Sequence, residues 1–158
     1  MEKAFTLLEL IVVIVILGIL ATLGYSQYTK IVEQGRGAEV RGVLGQIRKF
    51  AIAYRLEKGT TTGIQDSDVN IGTNPDQIPH DCVSSNYFHY WVDSGWFSDP
   101  YIRFYAARCT SGGKPPQSSC SSECRYIYYE DLTTGWKSSW FQAGSADCCP
   151  SASTYFPP

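Results

Sequence analysis

The stretch FTLLELIVVIVILGILATL, residues 5–23, decides the fold of the N-terminal part of this chain. Its single charged residue is Glu9, and the next charge along the chain is Lys30. About 20 consecutive apolar residues are enough to span a bilayer as a helix. A carboxylate in such a segment costs roughly 2.5–3.5 kcal/mol or more at mid-membrane, so it calls for a partner. The sequence therefore predicts a membrane-held subunit whose Glu9 meets a positive charge on another molecule.

Beyond Lys30 the pattern becomes amphipathic, which predicts that the same helix continues to about Glu57. At about 1.5 Å per residue this helix would be about 80 Å long, so half of it must project from the globular part. Lys58-Gly59 is its predicted end, because glycine suits a left-handed cap. Apolar side chains spaced by three and four residues form one face, which we expect to pack on a sheet: Val40, Val43, Leu44, Ile47, Ala51 and Tyr54.

Six glycines weaken the predicted helix, each by up to about 1 kcal/mol relative to alanine. They are Gly18, Gly24, Gly35, Gly37, Gly42 and Gly45. Close approach of neighbouring helices would explain Gly18 and Gly24, because small residues let backbones come near one another. Local melting of the helix during assembly is the alternative. For the later glycines, simple tolerance is an equally good interpretation.

The rest of the 158-residue chain predicts one β-rich head domain. Hydrophobic residues at 44% and aromatic residues at 14% exclude a disordered chain. Aromatic-rich runs at 87–92, 101–108, 125–130 and 136–142 predict strands, with a hairpin turn at 131–135. The polar stretch from Thr60 to about Cys82 predicts a long surface loop.

The six cysteines all lie in the C-terminal half: Cys82, Cys109, Cys120, Cys124, Cys148 and Cys149. An even count in an exported domain predicts disulfides, although three bridges can be drawn in 15 ways. The adjacent Cys148-Cys149 pair is expected to bind two different partners. Free thiols are one alternative, and a zinc site built by Cys120, Cys124 and the adjacent pair is another. Two neighbouring thiolates chelate one tetrahedral ion poorly, which disfavours zinc.

Charge and motifs argue against several functions. The net charge of -2 gives no electrostatic footprint for nucleic acid. His80 and His89 match no nucleophile motif and no metal-ligand spacing, so we predict no enzyme. A calcium site is an alternative for the carboxylates in the predicted loops, but solvated loop charges are the preferred interpretation and no cofactor is predicted. These carboxylates are Asp66, Asp68, Asp76, Glu130 and Asp131.

Residues 4–10, AFTLLEL, followed by the apolar run, resemble the signature of type IV pilins and type II secretion pseudopilins. The resemblance implies that a prepilin peptidase cuts between Ala4 and Phe5 and methylates the new N-terminus of Phe5. Glu9 stands at the family's glutamate position, and Gly18 stands where many members have glycine. The sequence departs from the family in its very short leader, 1–4, in Ala4 where glycine is usual, and in Ser26 where many pilins have a proline.

The same resemblance implies an α+β, pilin-like fold, in which a long N-terminal α-helix packs on a small antiparallel β-sheet and the C-terminal region is braced by disulfides. We expect a prepilin leader at 1–4 and an apolar transmembrane and filament-core helix at 5–29. The amphipathic continuation of the helix is expected at 30–58, and the globular β-rich head at 59–158.

The function implied is that of a structural subunit of a type IV pilus-like filament. Glu9 of one copy would pair with the Phe5 amine of the next within the homo-oligomer. The expected partners are the prepilin peptidase, the assembly machinery and the inner membrane, before the chain moves to an extracellular filament or the cell surface. The alternatives are a periplasmic type II secretion pseudopilin and a minor pilin acting in adhesion or DNA uptake; near-neutral charge disfavours DNA.

Overall fold

A computed structural model describes residues 6–93, 99–115, 125–135 and 137–142 of the chain. Within these residues it has one long α-helix, α1 (Leu7–Lys58), a short 3-10 helix (Asp66–Val69) and six strands. The strands are β1 (Ile71–Gly72), β2 (Ile78–Pro79), β3 (Phe88–Asp93), β4 (Tyr101–Arg108), β5 (Arg125–Asp131) and β6 (Lys137–Gln142).

Helix α1 begins and ends at the residues that its capping chemistry selects. Thr6 is the N-cap, and its side chain accepts a hydrogen bond from the Glu9 N–H. At the other end Gly59 has φ of 75°, and its N–H donates to the Arg55 carbonyl at 2.8 Å. Because glycine enters this left-handed region without a Cβ clash, the predicted end of the helix at Lys58-Gly59 is confirmed.

Four strands form one antiparallel sheet in the order β3-β4-β5-β6. All four predicted strands exist, with bounds shifted by at most one residue; Trp136 of the last prediction lies outside the described residues. The register places Tyr90 opposite Ala106, and Ala106 opposite Tyr126. Since side chains alternate across a strand, these three share the face that turns toward α1.

The core lies between that face of the sheet and the C-terminal half of α1. On the helix the predicted apolar face is confirmed: four of its residues are buried, and Val43 and Tyr54 are partly buried against them. The buried helix residues pack with Phe88, Tyr90, Ile102, Phe104, Ala106 and Tyr126 of the sheet. The fold is therefore α+β, with a long N-terminal helix packed on a small antiparallel sheet.

The prediction of a long surface loop from Thr60 to Cys82 was wrong in part. The segment contains the 3-10 helix and the parallel β1–β2 pair, in which Ile71 faces Ile78. Ile71, Ile78 and Val69 are all buried in the core. These apolar side chains are isolated among polar ones, and they hold the segment against the core. The polar composition of the segment alone had predicted a solvent-exposed loop.

One of the predicted solvated carboxylates is instead a buried ion-pair partner. The side chain of Glu130 is 0% exposed and accepts two hydrogen bonds from Arg48, at 2.6 and 2.7 Å. The hydrogen bond to Glu130 raises the pKa of the Arg48 guanidinium. Burial raises the pKa of the adjacent Tyr128 hydroxyl to about 12, with a further contribution from the Glu130 charge. This bidentate pair joins α1 to the sheet near the C-terminal end of β5.

A second polar connection closes the head at the C-terminal end of α1. Asp99 Oδ1 accepts hydrogen bonds from the Thr61 N–H at 2.8 Å and from Arg55 Nε at 3.3 Å. The Thr61 N–H, with Arg55, holds the pKa of the Asp99 carboxyl below its ordinary value. Asp131, also buried and not solvated as expected, accepts from Thr133 and Thr134 within the β5–β6 turn.

Candidate assembly surface

The N-terminal half of α1 presents an uninterrupted apolar surface. Leu7–Tyr25, 19 residues, is long and apolar enough to cross a membrane, and none of it is buried within the described structure. Its large side chains are exposed by between 45% at Val13 and 74% at Leu7. Apolar exposure continues through Tyr28 and Ile31, at 63% and 65%. A core helix of a globular protein buries at least one apolar stripe, and this segment buries none against the described residues.

Glu9 lies in the first turn of this helix, where a reciprocal cap holds it. Its Oε2 accepts hydrogen bonds from the Thr6 N–H at 2.9 Å and from the Thr6 hydroxyl at 2.8 Å. In return the Glu9 N–H donates to the Thr6 hydroxyl at 3.3 Å. A carboxylate at a helix N-terminus also meets the positive end of the helix dipole. The carboxylate is thus oriented toward the N-terminal end of its own helix.

Thr6 has a role that our sequence interpretation did not assign. The signal was present, because Thr followed three residues later by Glu and then by apolar residues is the pattern of a capping box. We read Glu9 only as the partner of an external charge. The structure adds that it has an internal partner in the chain itself.

The remaining residues of the predicted assembly site divide between described and undescribed parts of the chain. Gly18 is in the exposed helix, and a Cβ built there would meet nothing within 4 Å; the same holds for Gly24. The predicted cleavage residues Ala4 and Phe5 lie outside the described residues. Space around Gly18 means that nothing within the described chain requires glycine there.

Among the cysteines, the structure forms one bridge, Cys82–Cys109, with a Cα–Cα distance of 5.7 Å. It links the segment before β3 to the residue after β4, and Cys109 is 1% exposed. A Cβ at Gly113 would approach the Cys109 sulfur to 2.9 Å, so the following loop packs directly on the disulfide. The other four cysteines lie outside the described residues: Cys120, Cys124, Cys148 and Cys149.

The two histidines face ordinary polar and aromatic neighbours. His80 lies 3.2 Å from Asp66, at the start of the 3-10 helix, and 3.0 Å from Asp81, the next residue along the chain. His89 stacks on Trp91, with ring centroids 5.2 Å apart. Asp66 and Asp68 accept backbone N–H groups of Val92 and Gln65. In the described part of the chain no three His, Cys, Asp or Glu side chains converge as metal ligands.

Comparison with protein families matches residues 1–25 to the family described as Prokaryotic N-terminal methylation motif. This motif marks the type IV pilin and pseudopilin superfamily, and the match covers 25 of the chain's 158 residues. Proteins of this family are structural and are not enzymes. No solved structure matches the chain.

The match and the geometry fall on the same segment. Residues 1–25 contain Thr6, Glu9 and the exposed apolar helix up to Tyr25. A prepilin motif implies processing by a prepilin peptidase and assembly into a filament. The described part of the matched motif thus lies on the helical surface that the described head leaves uncovered.

Proposed function

We propose that the chain is the structural subunit of a type IV pilus-like filament and polymerises through the projecting half of α1. The observation that carries this proposal is the complete exposure of an apolar segment whose helix is anchored in a folded head at its other end. Apolar surface gains about 25 cal/mol per Å² when it leaves water, so the segment requires lipid or other helices around it. One segment then serves as a membrane anchor first and as filament core afterwards.

Cleavage between Ala4 and Phe5, with N-methylation of Phe5, prepares the subunit for assembly. The match over residues 1–25 supports this step. Phe5 also directly precedes Thr6, the N-cap of α1, so the mature chain would begin at the first turn of the helix.

In the filament, Glu9 pairs with the Phe5 amine of a neighbouring subunit. Both hydrogen bonds from Thr6 go to one oxygen, Oε2, and an ionised carboxylate has a second oxygen for another donor. Thr6 therefore keeps the carboxylate partly satisfied before the neighbour arrives. Breaking one side of a buried ion pair costs about 3–5 kcal/mol, so the pair selects the axial register of neighbouring helices.

The test compares Glu9→Gln with Glu9→Lys in cells that express the processing and assembly machinery. Gln keeps an amide oxygen that accepts from Thr6 but has no charge, so it separates the cap from the ion pair. We expect both variants to enter the inner membrane normally and to yield far less filament after shearing, with Glu9→Lys the more severe. Glu57→Gln, at the exposed far end of α1, is the matched control and should assemble normally.

A normal filament yield from Glu9→Gln would overturn the proposed pairing of Glu9 with the Phe5 amine of a neighbouring subunit. Mass spectrometry of the N-terminus of purified filaments should find N-methyl-phenylalanine at Phe5. Fibres on the cell surface that consist of this chain support the pilus. Polymer confined to the periplasm, together with blocked protein secretion, would instead assign the chain as a pseudopilin.

A further inference from the structure

One histidine lies between two carboxylates in the segment that follows α1. The ring of His80 presents Nδ1 to Asp81 Oδ1 at 3.0 Å and Nε2 to Asp66 Oδ2 at 3.2 Å. Asp81 is the next residue along the chain, whereas Asp66 belongs to the 3-10 helix. The two nitrogens of one ring therefore face acceptor oxygens from two separate parts of the segment.

These contacts favour one protonation state of the His80 ring. A neutral imidazole carries a single N–H, and its other nitrogen presents a lone pair. In that form one of the two carboxylates would face a lone pair, which repels it. A ring that is protonated on both nitrogens donates toward both carboxylates and balances part of their charge. The geometry therefore fits the doubly protonated ring better than the neutral one.

No lysine or arginine in this part of the sequence competes for the two carboxylates. Between Lys58 and Arg103 the chain contains neither residue type. The acidic residues in the same stretch are Asp66, Asp68, Asp76, Asp81, Asp93 and Asp99. Within the described residues, the only ion-pair partner of either Asp66 or Asp81 is His80. Because histidine gains and loses its charge near neutral pH, the compensation of these carboxylates depends on pH.

The backbone of His80 is held on both sides, which positions its ring. Its N–H donates to the Gly72 carbonyl at 3.1 Å, and its carbonyl accepts from His89 Nδ1 of β3 at 3.2 Å. His89 is thus a further titratable group beside His80, and this contact is with the carbonyl group. Asp66 is held as well, because its Oδ1 accepts from the Val92 N–H at 2.8 Å. A series of contacts therefore runs from the ring through Asp66 to β3.

We propose that His80 is a pH-sensitive clamp that joins the end of β2 to the 3-10 helix and, through Asp66, to the edge strand β3. Both contacts of the ring form while it carries two protons and both aspartates are ionised. Aspartates are ordinarily ionised above about pH 4, and histidines ordinarily carry both protons below about pH 6.5. The stabilising contribution of the clamp is therefore present between these values and is lost as pH rises through the histidine range.

Loss of the second proton changes two places on the head. Asp66 loses the positive charge beside it, so the hydrogen bond that it accepts from the Val92 N–H opens more readily. Asp81 also loses positive charge, and it lines the same surface groove as Glu39 of α1. That groove therefore becomes more negative as pH rises. Every contact of the clamp lies within one head, so the clamp does not depend on assembly.

The experiment measures amide hydrogen exchange by NMR in the full chain in detergent micelles, at about pH 5.5 and about pH 8, on either side of the histidine range. Each rate is divided by the intrinsic rate at the same pH, and the resulting protection factor reports local opening. We expect the protection of the Val92 N–H to be about two- to five-fold higher at the lower pH, as partly exposed ion pairs allow. The amide of Leu44, in the buried face of α1, should be equally protected at both.

Two substitutions remove the clamp and keep the surrounding backbone contacts. His80→Gln has no charge at either pH, and Asp66→Asn keeps an oxygen for the Val92 N–H but offers no charge to the ring. Both should abolish the pH dependence of Val92 protection. His89→Gln is the matched control, because it leaves the His80 ring between its carboxylates, and it should retain the dependence. An unchanged Leu44 signal would show that the head remains folded in each variant.

The clamp is overturned if Val92 protection in the unsubstituted chain is the same at both pH values. A pH dependence that survives in His80→Gln would assign the effect to another titratable group and would also overturn the proposal. A dependence that is lost in His89→Gln as fully as in His80→Gln would assign it to the wrong histidine. A dependence that is lost in His80→Gln but kept in Asp66→Asn would overturn the bridge between the ring and the 3-10 helix.

Discussion

The two halves of α1 have similar local structure and opposite surroundings. Residues 7–31 are helical with every large apolar side chain exposed, whereas Val40, Leu44, Ile47 and Ala51 on the same helix are buried against the sheet. Burial in the second half comes from partners within the chain. The first half has a more uniformly apolar sequence, and none of the described residues covers it. The helical conformation of α1 therefore extends over residues that the described head does not bury.

The largest effect is expected where the second half is fixed to the sheet. Arg48→Met leaves Glu130 buried without its bidentate partner and should lower the free energy of unfolding by about 3–5 kcal/mol. Urea unfolding of the full chain in detergent, followed by tryptophan fluorescence, measures it. Adding Glu130→Gln to Arg48→Met should restore most of the loss, because no buried charge then remains unpaired. A loss of under 1 kcal/mol for Arg48→Met would show that the pair does not hold the helix.

A matched pair of truncations contrasts the two halves directly. Ile47 is 0% exposed and Ile16 is 51% exposed, on the same helix. Ile47→Ala should lower the free energy of unfolding of the head by about 2–5 kcal/mol, since it removes buried methyl groups and leaves a cavity. Ile16→Ala should leave the unfolding curve of the head unchanged. Similar losses in the two variants would contradict the division of the helix that we describe.

Acid should loosen the polar connection at the end of the second half. The native pKa of Asp99 lies below its ordinary value of 3.8, so its contribution to stability is full above pH 4 and is lost as pH falls toward the native pKa. Asp99→Asn should therefore be less stable than the wild type at pH 7, with the difference shrinking below pH 4. Unfolding midpoints measured from pH 7 to pH 3 test this. Asp76→Asn, on an exposed loop, should give a curve parallel to that of the wild type.

The smallest effects concern glycine in each half. A Cβ at Gly42 or at Gly18 meets nothing within 4 Å. Gly42→Ala should stabilise the head by roughly 0.5–1 kcal/mol, because alanine is the better helix former. Gly18→Ala should leave the head unchanged and reduce filament yield only if neighbouring helices approach closely there. Normal filaments from Gly18→Ala would assign that glycine to simple tolerance.

Periodic features of the fold were predictable from the sequence, and pairings between distant residues were not. The apolar spacing from Val40 to Tyr54 and the aromatic runs located α1 and the strands, because side-chain periodicity follows directly from backbone geometry. The Arg48–Glu130 pair joins residues 82 positions apart. Glu130 lies next to the predicted hairpin turn, and nothing in the local sequence indicated that its carboxylate is buried. Sequence likewise left 15 disulfide patterns open, and the choice of Cys82–Cys109 required the β3–β4 register.

The candidate site shows the same division. Glu9 was predictable because a single carboxylate within an apolar segment can be identified from the sequence without knowledge of the fold. The grouping of Arg36, Arg108 and Lys114 around the Tyr87 ring was not predictable, because these three residues come from separate segments that meet only after the sheet has formed.

The continuity of α1 has a mechanical consequence. A fibre built on the N-terminal half of this helix would transmit any axial pull along the backbone into the head. There the load meets Arg48–Glu130 and Arg55–Asp99, which join the helix sideways to its neighbours and so are stressed in shear. Contacts that are loaded in shear share the force and break together, whereas contacts that are loaded one after another break in sequence at lower force. The head is thus suited to remain folded under tension, while any extension occurs in the projecting N-terminal half of α1.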